Sequence, residues 1–303
     1  MFYFINKIIL GTLPFIPKNI IKAISNRYIA GIDDEEALKT IKKLNGMNLS
    51  ATIDILGEHT KNVDESDSIT NRYIKLYKEI SKNNLDCNIS IKPSHIGSDI
   101  SLETFTKNLA LIHNEADNNN NFLRIDMENS TLTDITLNAF KNNYKKLKNI
   151  GIVIQAYLYR SEQDINNLES GMNIRLCKGI YNENETIAIK NPKKINDNYL
   201  SLLGQSLKKN IFVGIATHDI NLIEKILCLI EENNFNKKQF EFQVLYGVPM
   251  KKTIQKLLAL KYKVRVYVPY GDNWYEYSMR RLNENPNISK YVLKNFFTKN
   301  FYK

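Results

Sequence analysis

Eight short apolar runs punctuate the chain, separated by longer stretches whose apolar residues fall three and four positions apart. The runs are LSATIDI (49–55), DCNISIK (86–92), FLRIDM (122–127), GIVIQAY (151–157), NIRLCK (173–178), IFVGIATHD (211–219), QFEFQVL (239–245) and VRVYVPY (264–270). Each has the length and the Ile, Val and Phe content of a β-strand. The stretches between them, such as SITNRYIKLYKEISKN, LETFTKNLALIHNEA, TDITLNAFKNNYKKL, NYLSLLGQSLKKN and NLIEKILCLIEEN, carry the one-sided pattern of amphipathic helices. Strand and helix alternating eight times over about 240 residues predict a parallel sheet closed into a (β/α)8 barrel. An open doubly wound sheet is the competing architecture. It calls for a glycine-rich phosphate loop, and the twelve glycines form neither G-x-G-x-x-G nor a P-loop.

The expected organisation is an N-terminal helical arm over residues 1–45, a barrel over 46–288 and a tail over 289–303. The N-terminal MFYFINKIILGTLPFIPKNIIKAI is apolar, but Lys7, Pro14, Pro17 and Lys18 interrupt it well short of the roughly 20 apolar residues of a membrane span. No basic segment precedes the apolar run, as a signal peptide would require. This arm and the aromatic, lysine-rich tail YVLKNFFTKNFYK are read as packed on the barrel or as peripheral contacts with a membrane. A net charge of +10 spread along a Lys- and Asn-rich chain favours anionic partners without selecting one. The aromatics lie inside the strand patterns and no nucleic-acid-binding motif occurs, so no specific nucleic acid is expected. Cys87, Cys177 and Cys228 are widely separated, which fits a reducing cytoplasm, and there is no Cys-x-x-Cys or paired-His metal spacing, so no metal is expected.

Active sites of such barrels stand at the C-terminal ends of the strands. Polar residues collect there in every run: Asp54 and Glu58, Lys92, Asp126 and Glu128, Gln155 and Tyr157, Arg175 and Lys178, Thr217, His218 and Asp219, Gln243, and Tyr267 and Tyr270. Buried polar groups cost free energy unless partnered, so their recurrence inside apolar runs points to function. Cations around a few carboxylates suit an anionic substrate, which guanidinium groups can hold at two points. Metal-assisted hydrolysis and a G-x-S-x-G nucleophile are unsupported, and Cys177 reads as a small core residue. A Schiff-base lyase using Lys92 or Lys178 is physically allowed.

DILGE (54–58), SIKPSHIG (90–97), RIDMENS (124–130), VIQAYLYR (153–160), RLCKGIY (175–181), IATHD (215–219), FEFQVLYGV (240–248) and RVYVPYGDNWYEYSMRRLNENPN (265–287) resemble, in order and spacing, the successive motifs of the proline dehydrogenases. The likeness runs from about residue 45 to the end. It implies a FAD-binding (β/α)8 barrel that oxidises L-proline to Δ1-pyrroline-5-carboxylate and passes electrons to a membrane quinone. The compact length resembles the single-activity bacterial enzymes, without a second, aldehyde-oxidising domain. Carried over by position, Lys92, Arg280 and Arg281 would grip the substrate carboxylate, with Glu284 bracing the arginines and Glu58 pairing with Arg280 on closure. Asp126 would hold Lys92 and the pocket's polar network in place, and Tyr267, Leu245, Tyr270, Ile180 and Tyr181 would line the pocket. Gln155, Arg175, Lys178, Gly179, Thr217, His218 and Asp219 would contact the flavin, Gly179 being the place where backbone must approach phosphate. Ile180 departs from the small Ala usual in the family, which bears on the choice of ring.

Overall fold

A computed structural model describes residues 22, 25 and 27–284, and for residues 280–284 the helical backbone alone. All eight runs are strands: β1 (Ser50–Ile55), β2 (Cys87–Ile91), β3 (Leu123–Ile125), β4 (Ile150–Gln155), β5 (Asn173–Cys177), β6 (Phe212–Ala216), β7 (Phe240–Leu245) and β8 (Val264–Tyr270). Each pairs in parallel with the next, and β8 closes on β1 from Ser50↔Arg265 to Ile55↔Tyr270. The helices are α1 (Asp34–Gly46), α2 (Val63–Lys82), α3 (Leu102–Asn118), α4 (Thr133–Tyr144), α5 (Ser161–Asn166), α6 (Pro192–Lys208), α7 (Ile220–Glu232), α8 (Lys251–Ala259) and α9 (Trp274–Glu284).

Period-two alternation divides the strands into two chemistries. Ile53, Ile89, Ile125, Ile152, Ile174, Ile215, Phe242 and Val266 are buried toward the helices and form the main core. The other parity faces the bore: Thr52 and Asp54, Ser90, Arg124, Arg175, Glu241 and Gln243, and Arg265 and Tyr267 all lie on it and are buried or nearly so. Barrel interiors are ordinarily filled with branched apolar side chains. Here charged groups run the full depth of the bore, and each has a partner. Arg265 Nε donates to Glu241 Oε1 at 2.6 Å, and Arg124 Nη1 to the Ile152 carbonyl at 2.9 Å. Gly151 sits on this inner face because a Cβ there would lie 2.4 Å from Arg124 Nη1 and 2.7 Å from the Asn173 carbonyl oxygen.

The ends of the chain's elements are specified locally. Asp33, Asn62, Ser101, Asn191 and Asp219 cap α1, α2, α3, α6 and α7 by accepting backbone N–H groups of the first turn. Asn48, Asn84, Asn120, Asn210 and Asn234 terminate α1, α2, α3, α6 and α7 in the left-handed region, with φ between 49° and 59°. Asn tolerates that region better than most side chains. Much of what reads as compositional bias therefore has a structural use. After α8 the same place is taken by Lys261, at φ 59°. Lys261→Gly is expected to raise stability by about 1 kcal/mol, because glycine adopts this conformation without the Cβ clash. The change is read as a rise in the thermal unfolding midpoint, and an unchanged or lower midpoint would contradict it.

Two helices depart from the simple ring. α1 buries Ala37, Ile41 and Leu44 and packs against β1 and β8, the seam where the eighth barrel helix would stand. The helix that follows β8, α9, is instead carried over the mouth: Trp274 and Tyr277 pack with Ile29 and with Leu56, the residue just after β1. Ser278 Oγ meets Ser25 Oγ at 2.6 Å. Three residues, Gly271–Asn273, separate β8 from α9, as three separate β6 from α7, so it is the packing of Trp274 and Tyr277 on Ile29 and Leu56, and not loop length, that holds α9 at the mouth.

Candidate active site

The C-terminal end of the bore holds two buried ion pairs side by side. In the first, Lys92 Nζ lies 2.7 Å from both oxygens of Asp54. Lys92 follows β2 directly and Asp54 is the last inward residue of β1, so their strands' pairing brings them together. Burial works against the ammonium, but Asp54, Asp126 and Glu58 outweigh it and hold its pKa above the ordinary lysine value. In the second, Asp126 Oδ1 accepts from Arg175 Nη1 at 2.5 Å and from Ser90 Oγ at 2.7 Å, while Oδ2 accepts from Tyr267 OH at 2.7 Å. Burial pushes the Asp126 carboxyl up, yet Arg175 and Lys92, with the hydrogen bonds from Ser90 and Tyr267, bring it below the usual range. Arg175 also stacks on the Tyr267 ring, 4.8 Å from its centre. Burial and the nearby Asp126 and Asp54 keep the Tyr267 phenol protonated, so it acts as a donor.

Two expectations from the sequence need correction, the partner of Lys92 and the place of Tyr270. Lys92 is held by Asp54, not Asp126; a carboxylate can fully serve one buried cation, and Asp126 is engaged with Arg175. Tyr270 does not line the pocket. It lies three residues from Tyr267 on one strand and so points to the opposite face, where its hydroxyl donates to Asp34 Oδ1 at 2.8 Å and Arg72 covers its ring. Gly179 has φ 105°, and a Cβ there would lie 2.1 Å from the Tyr157 ring, so close packing against Tyr157 is what excludes a side chain. His218 is tied within the rim: its Nε2 accepts the Leu245 N–H at 2.8 Å, joining the loop after β6 to the end of β7.

Of the remaining residues, Leu245 shares the inner face of β7 with Gln243 and is level with Tyr267. Lys178 Nζ pairs with Asp219 Oδ2 at 2.7 Å, and Asp219 also takes Asn196 Nδ2 and caps α7. Burial raises the Asp219 carboxyl, but Lys178 and these donors override it and bring it to about 2. Thr217 is buried and its Oγ1 accepts the Asp219 N–H. Tyr181 is half-buried, while Ile180 is 44 % exposed on the loop after β5. Glu58 is half-buried on the loop after β1. Its carboxylate, His59 and Glu128 bring ligand-type atoms within 4.8 Å of one another, although Ser94 already engages both Glu128 oxygens and Asp99 engages His59 Nδ1. The side chains of Arg280, Arg281 and Glu284 lie outside the described residues; their helix, α9, stands at the mouth.

Of the site's supporting residues, Asp54 and Gln243 stand among the polar strand-end residues of the sequence without an expected partner, and Ser90 is not among them. Strand parity is the signal that finds them, since each shares the inward parity of Lys92, Asp126, Arg175 or Tyr267. His95, on the turn after Lys92, is a buried group of a different kind. Its ring meets Tyr73 edge-on, with Nδ1 3.3 Å from the Tyr73 hydroxyl. Burial, with the charges of Lys92 and Arg72, pushes its pKa down to about 3. The unfolded chain therefore binds a proton that the folded protein excludes between about pH 6.5 and 3, and stability falls as pH falls through that window. His95→Gln is expected to flatten the decline in unfolding midpoint between pH 7 and 5. A variant with the wild-type slope would remove His95 from the cause.

The β4–β6 side of the mouth has the polarity of a ligand cradle. Among the described residues a few buried side-chain polar atoms lack a hydrogen-bond partner, and two of them, Gln155 Oε1 and Asn196 Oδ1, lie at this side of the barrel. Such atoms are costly unless a ligand or water completes them. With Arg175 and Lys178 beside them, they fit a polar, anionic heterocyclic group such as a flavin dinucleotide. A Schiff-base role fits less well: Lys92 is clamped as an ammonium and Lys178 is paired with Asp219, whereas an amine nucleophile must lose its proton. The Cys177 thiol is pushed by burial up to about 11, which leaves it unreactive.

Comparison with known proteins agrees with this geometry. The family model described as proline dehydrogenase matches residues 37–294. The chain is 36% identical over 277 residues to proline dehydrogenase 1 of Bacillus subtilis subsp. natto, covering 91% of each chain. It is 32% identical over 282 residues to the proline dehydrogenase of Deinococcus radiodurans, covering 89% of each. Among solved structures, proline utilization A from Bdellovibrio bacteriovorus superposes with a TM-score of 0.79 at 23% identity, over 92% of this chain and 33% of that one. The chain thus spans about a third of that larger protein, whose likeness carries the barrel fold. A closed parallel barrel with paired cations at its C-terminal mouth, matched over nearly the whole chain by these relatives, makes this protein an oxidoreductase belonging to the proline dehydrogenase family.

Proposed function

We propose that the chain oxidises L-proline to Δ1-pyrroline-5-carboxylate, the first step of proline catabolism, using FAD and passing the electrons to a membrane quinone. The observation that carries this reading is the juxtaposition of the Lys92–Asp54 and Arg175–Asp126 pairs with the unpartnered polar atoms of Gln155 and Asn196. In this reading the barrel over residues 46–288 is the catalytic unit, residues 1–45 form an arm, and residues 289–303 form a tail that, with the arm, supplies peripheral membrane contact. No helix among the described residues is long and apolar enough to cross a membrane.

An ammonium has three N–H groups, and Asp54 accepts two from Lys92, so the third remains for the substrate carboxylate. Arg280 and Arg281, on the helix over the mouth, supply further cationic contacts to that carboxylate. Tyr267 and Leu245 present ring and methyl groups to the pyrrolidine from the inner faces of β8 and β7. When bound, FAD would supply the two-electron acceptor for the hydride given up at C5 of proline, the ring nitrogen losing a proton as the C=N bond forms. Arg175 and Lys178 provide the positive charge that favours an electron-rich reduced ring. Gln155 and Asn196 offer hydrogen bonds to it, and Thr217, His218 and Asp219 shape the neighbouring rim.

The protein is expected to purify yellow, and anaerobic L-proline is expected to bleach its flavin bands. N-propargylglycine, named as the inactivator of the Bdellovibrio protein, is expected to inactivate it, with proline protecting. Colourless protein that takes up no FAD, or bound flavin that proline leaves oxidised, would overturn the reading.

A further inference from the structure

The charged bore does more than fill space, because its pairs are joined through one neutral residue. Arg265 Nε donates to Glu241 Oε1 at 2.6 Å; Gln243 Nε2 donates to the same oxygen at 2.8 Å; and Gln243 Oε1 accepts from Arg175 Nε at 2.7 Å. Arg175 continues the chain to Asp126, and Asp126 to Tyr267, so the connection returns to β8, where it began. Gln243 is 5 % exposed.

The amide's orientation is dictated from both ends. A carboxylate can only accept, so Glu241 requires the NH2 group of Gln243; a guanidinium can only donate, so Arg175 requires the carbonyl. Glutamate at this position would set a second carboxylate against Glu241, and lysine would set a second cation against Arg175. The space is reserved by a separate residue: a Cβ on Gly214 of β6, which is paired in register with Glu241, would lie 2.4 Å from Gln243 Nε2. The neutral amide thus fixes the Nε edge of Arg175 without adding charge, leaving Asp126 as the one carboxylate among the described residues that pairs with that guanidinium.

We propose that Gln243 is a positioning residue for the oxidation, holding Arg175 in place and insulating its positive charge from the Glu241–Arg265 pair, so that the charge acts on the bound flavin. This rests on the reading given under Proposed function, in which FAD lies beside Arg175. Gln243 itself touches neither substrate nor flavin in this account. Its effect is therefore on the redox equilibrium and the rate of hydride transfer, not on proline affinity.

The test is the midpoint potential of bound FAD in holoenzyme, measured for wild type, Gln243→Glu and Gln243→Met, alongside kcat and KM for proline. Gln243→Glu adds negative charge next to Arg175 and is expected to shift the two-electron equilibrium at least tenfold toward oxidised flavin, about 30 mV. Gln243→Met, which fills the same volume without the acceptor, is expected to lower kcat at least tenfold. KM is expected to stay within twofold in both. Folded, flavin-loaded variants whose two-electron equilibrium and kcat both stay within twofold of wild type would overturn the proposal. If Gln243→Glu does not fold, Gln243→Met decides by the same kcat and KM criteria. Wild-type protein that holds no flavin, or whose flavin proline does not reduce, would instead overturn the functional reading, so the two failures are distinguishable.

Discussion

Asp126→Ala is expected to lose about 3–5 kcal/mol of folding stability and nearly all proline oxidation. The magnitude is that of breaking a buried ion pair from one side, which leaves the other charge uncompensated. Three donors converge on this carboxylate, from Arg175, Ser90 and Tyr267, and its removal strands all of them in the bore. Asp126→Asn preserves the shape and an acceptor for Tyr267, but turns an NH2 group toward both Arg175 and Ser90. Its stability loss is expected to be smaller, and its loss of turnover comparable, because the charge balance around Arg175 changes in both variants. Chemical denaturation monitored at equilibrium, with turnover measured on the folded fraction, separates the two effects. An Asp126→Ala protein as stable as wild type would show that the Arg175 pair is not buried as described.

The Asp54–Lys92 pair is expected to give a different pattern, in which stability is recoverable and activity is not. Asp54→Leu alone leaves a buried ammonium without its clamp and should cost about 3–5 kcal/mol. Lys92→Met alone should cost less. Burial already pushes the Asp54 carboxyl up, so without Lys92 it can take a proton and become neutral. The double variant Asp54→Leu/Lys92→Met replaces the pair by apolar groups of similar size and is expected to regain most of the loss, since such exchanges are often neutral. Its KM for proline should nevertheless rise strongly, because the third N–H of Lys92 is gone. Proline affinity restored along with stability would remove Lys92 from the carboxylate site.

How much of this was legible beforehand follows from which physical pattern each feature depends on. The eight strands were legible because apolar runs such as GIVIQAY and IFVGIATHD are local, and the helices between them carry a period that strands cannot use. Lys92, Asp126, Arg175 and Tyr267 were also legible, as polar residues inside apolar runs, and the bore brings them together. Their partners were assigned wrongly or missed. Nothing local says that Lys92 reaches across to Asp54 rather than to Asp126, or that Gln243 on β7 meets Arg175 on β5. Tyr270 was misplaced for a simpler reason: its chemistry suggested the pocket, while its distance of three residues from Tyr267 already placed it on the other face. The lower charged layer of Arg124, Glu241 and Arg265 was not legible at the strand ends, because it lies deeper in the bore and its charges neutralise one another only once the sheet closes.

The sequence by itself determined the kind, number and order of the elements, the face that each strand turns inward, and the caps and left-handed turns that end the helices. These depend on interactions within a few residues of one another. Tertiary structure alone decided which inward charges pair, that α1 fills the seam between β8 and β1, and that α9 lies over the mouth. Those outcomes depend on closure of the sheet and on the register between strands far apart in the chain, where one carboxylate within reach of two cations goes to whichever the geometry brings to hydrogen-bond distance.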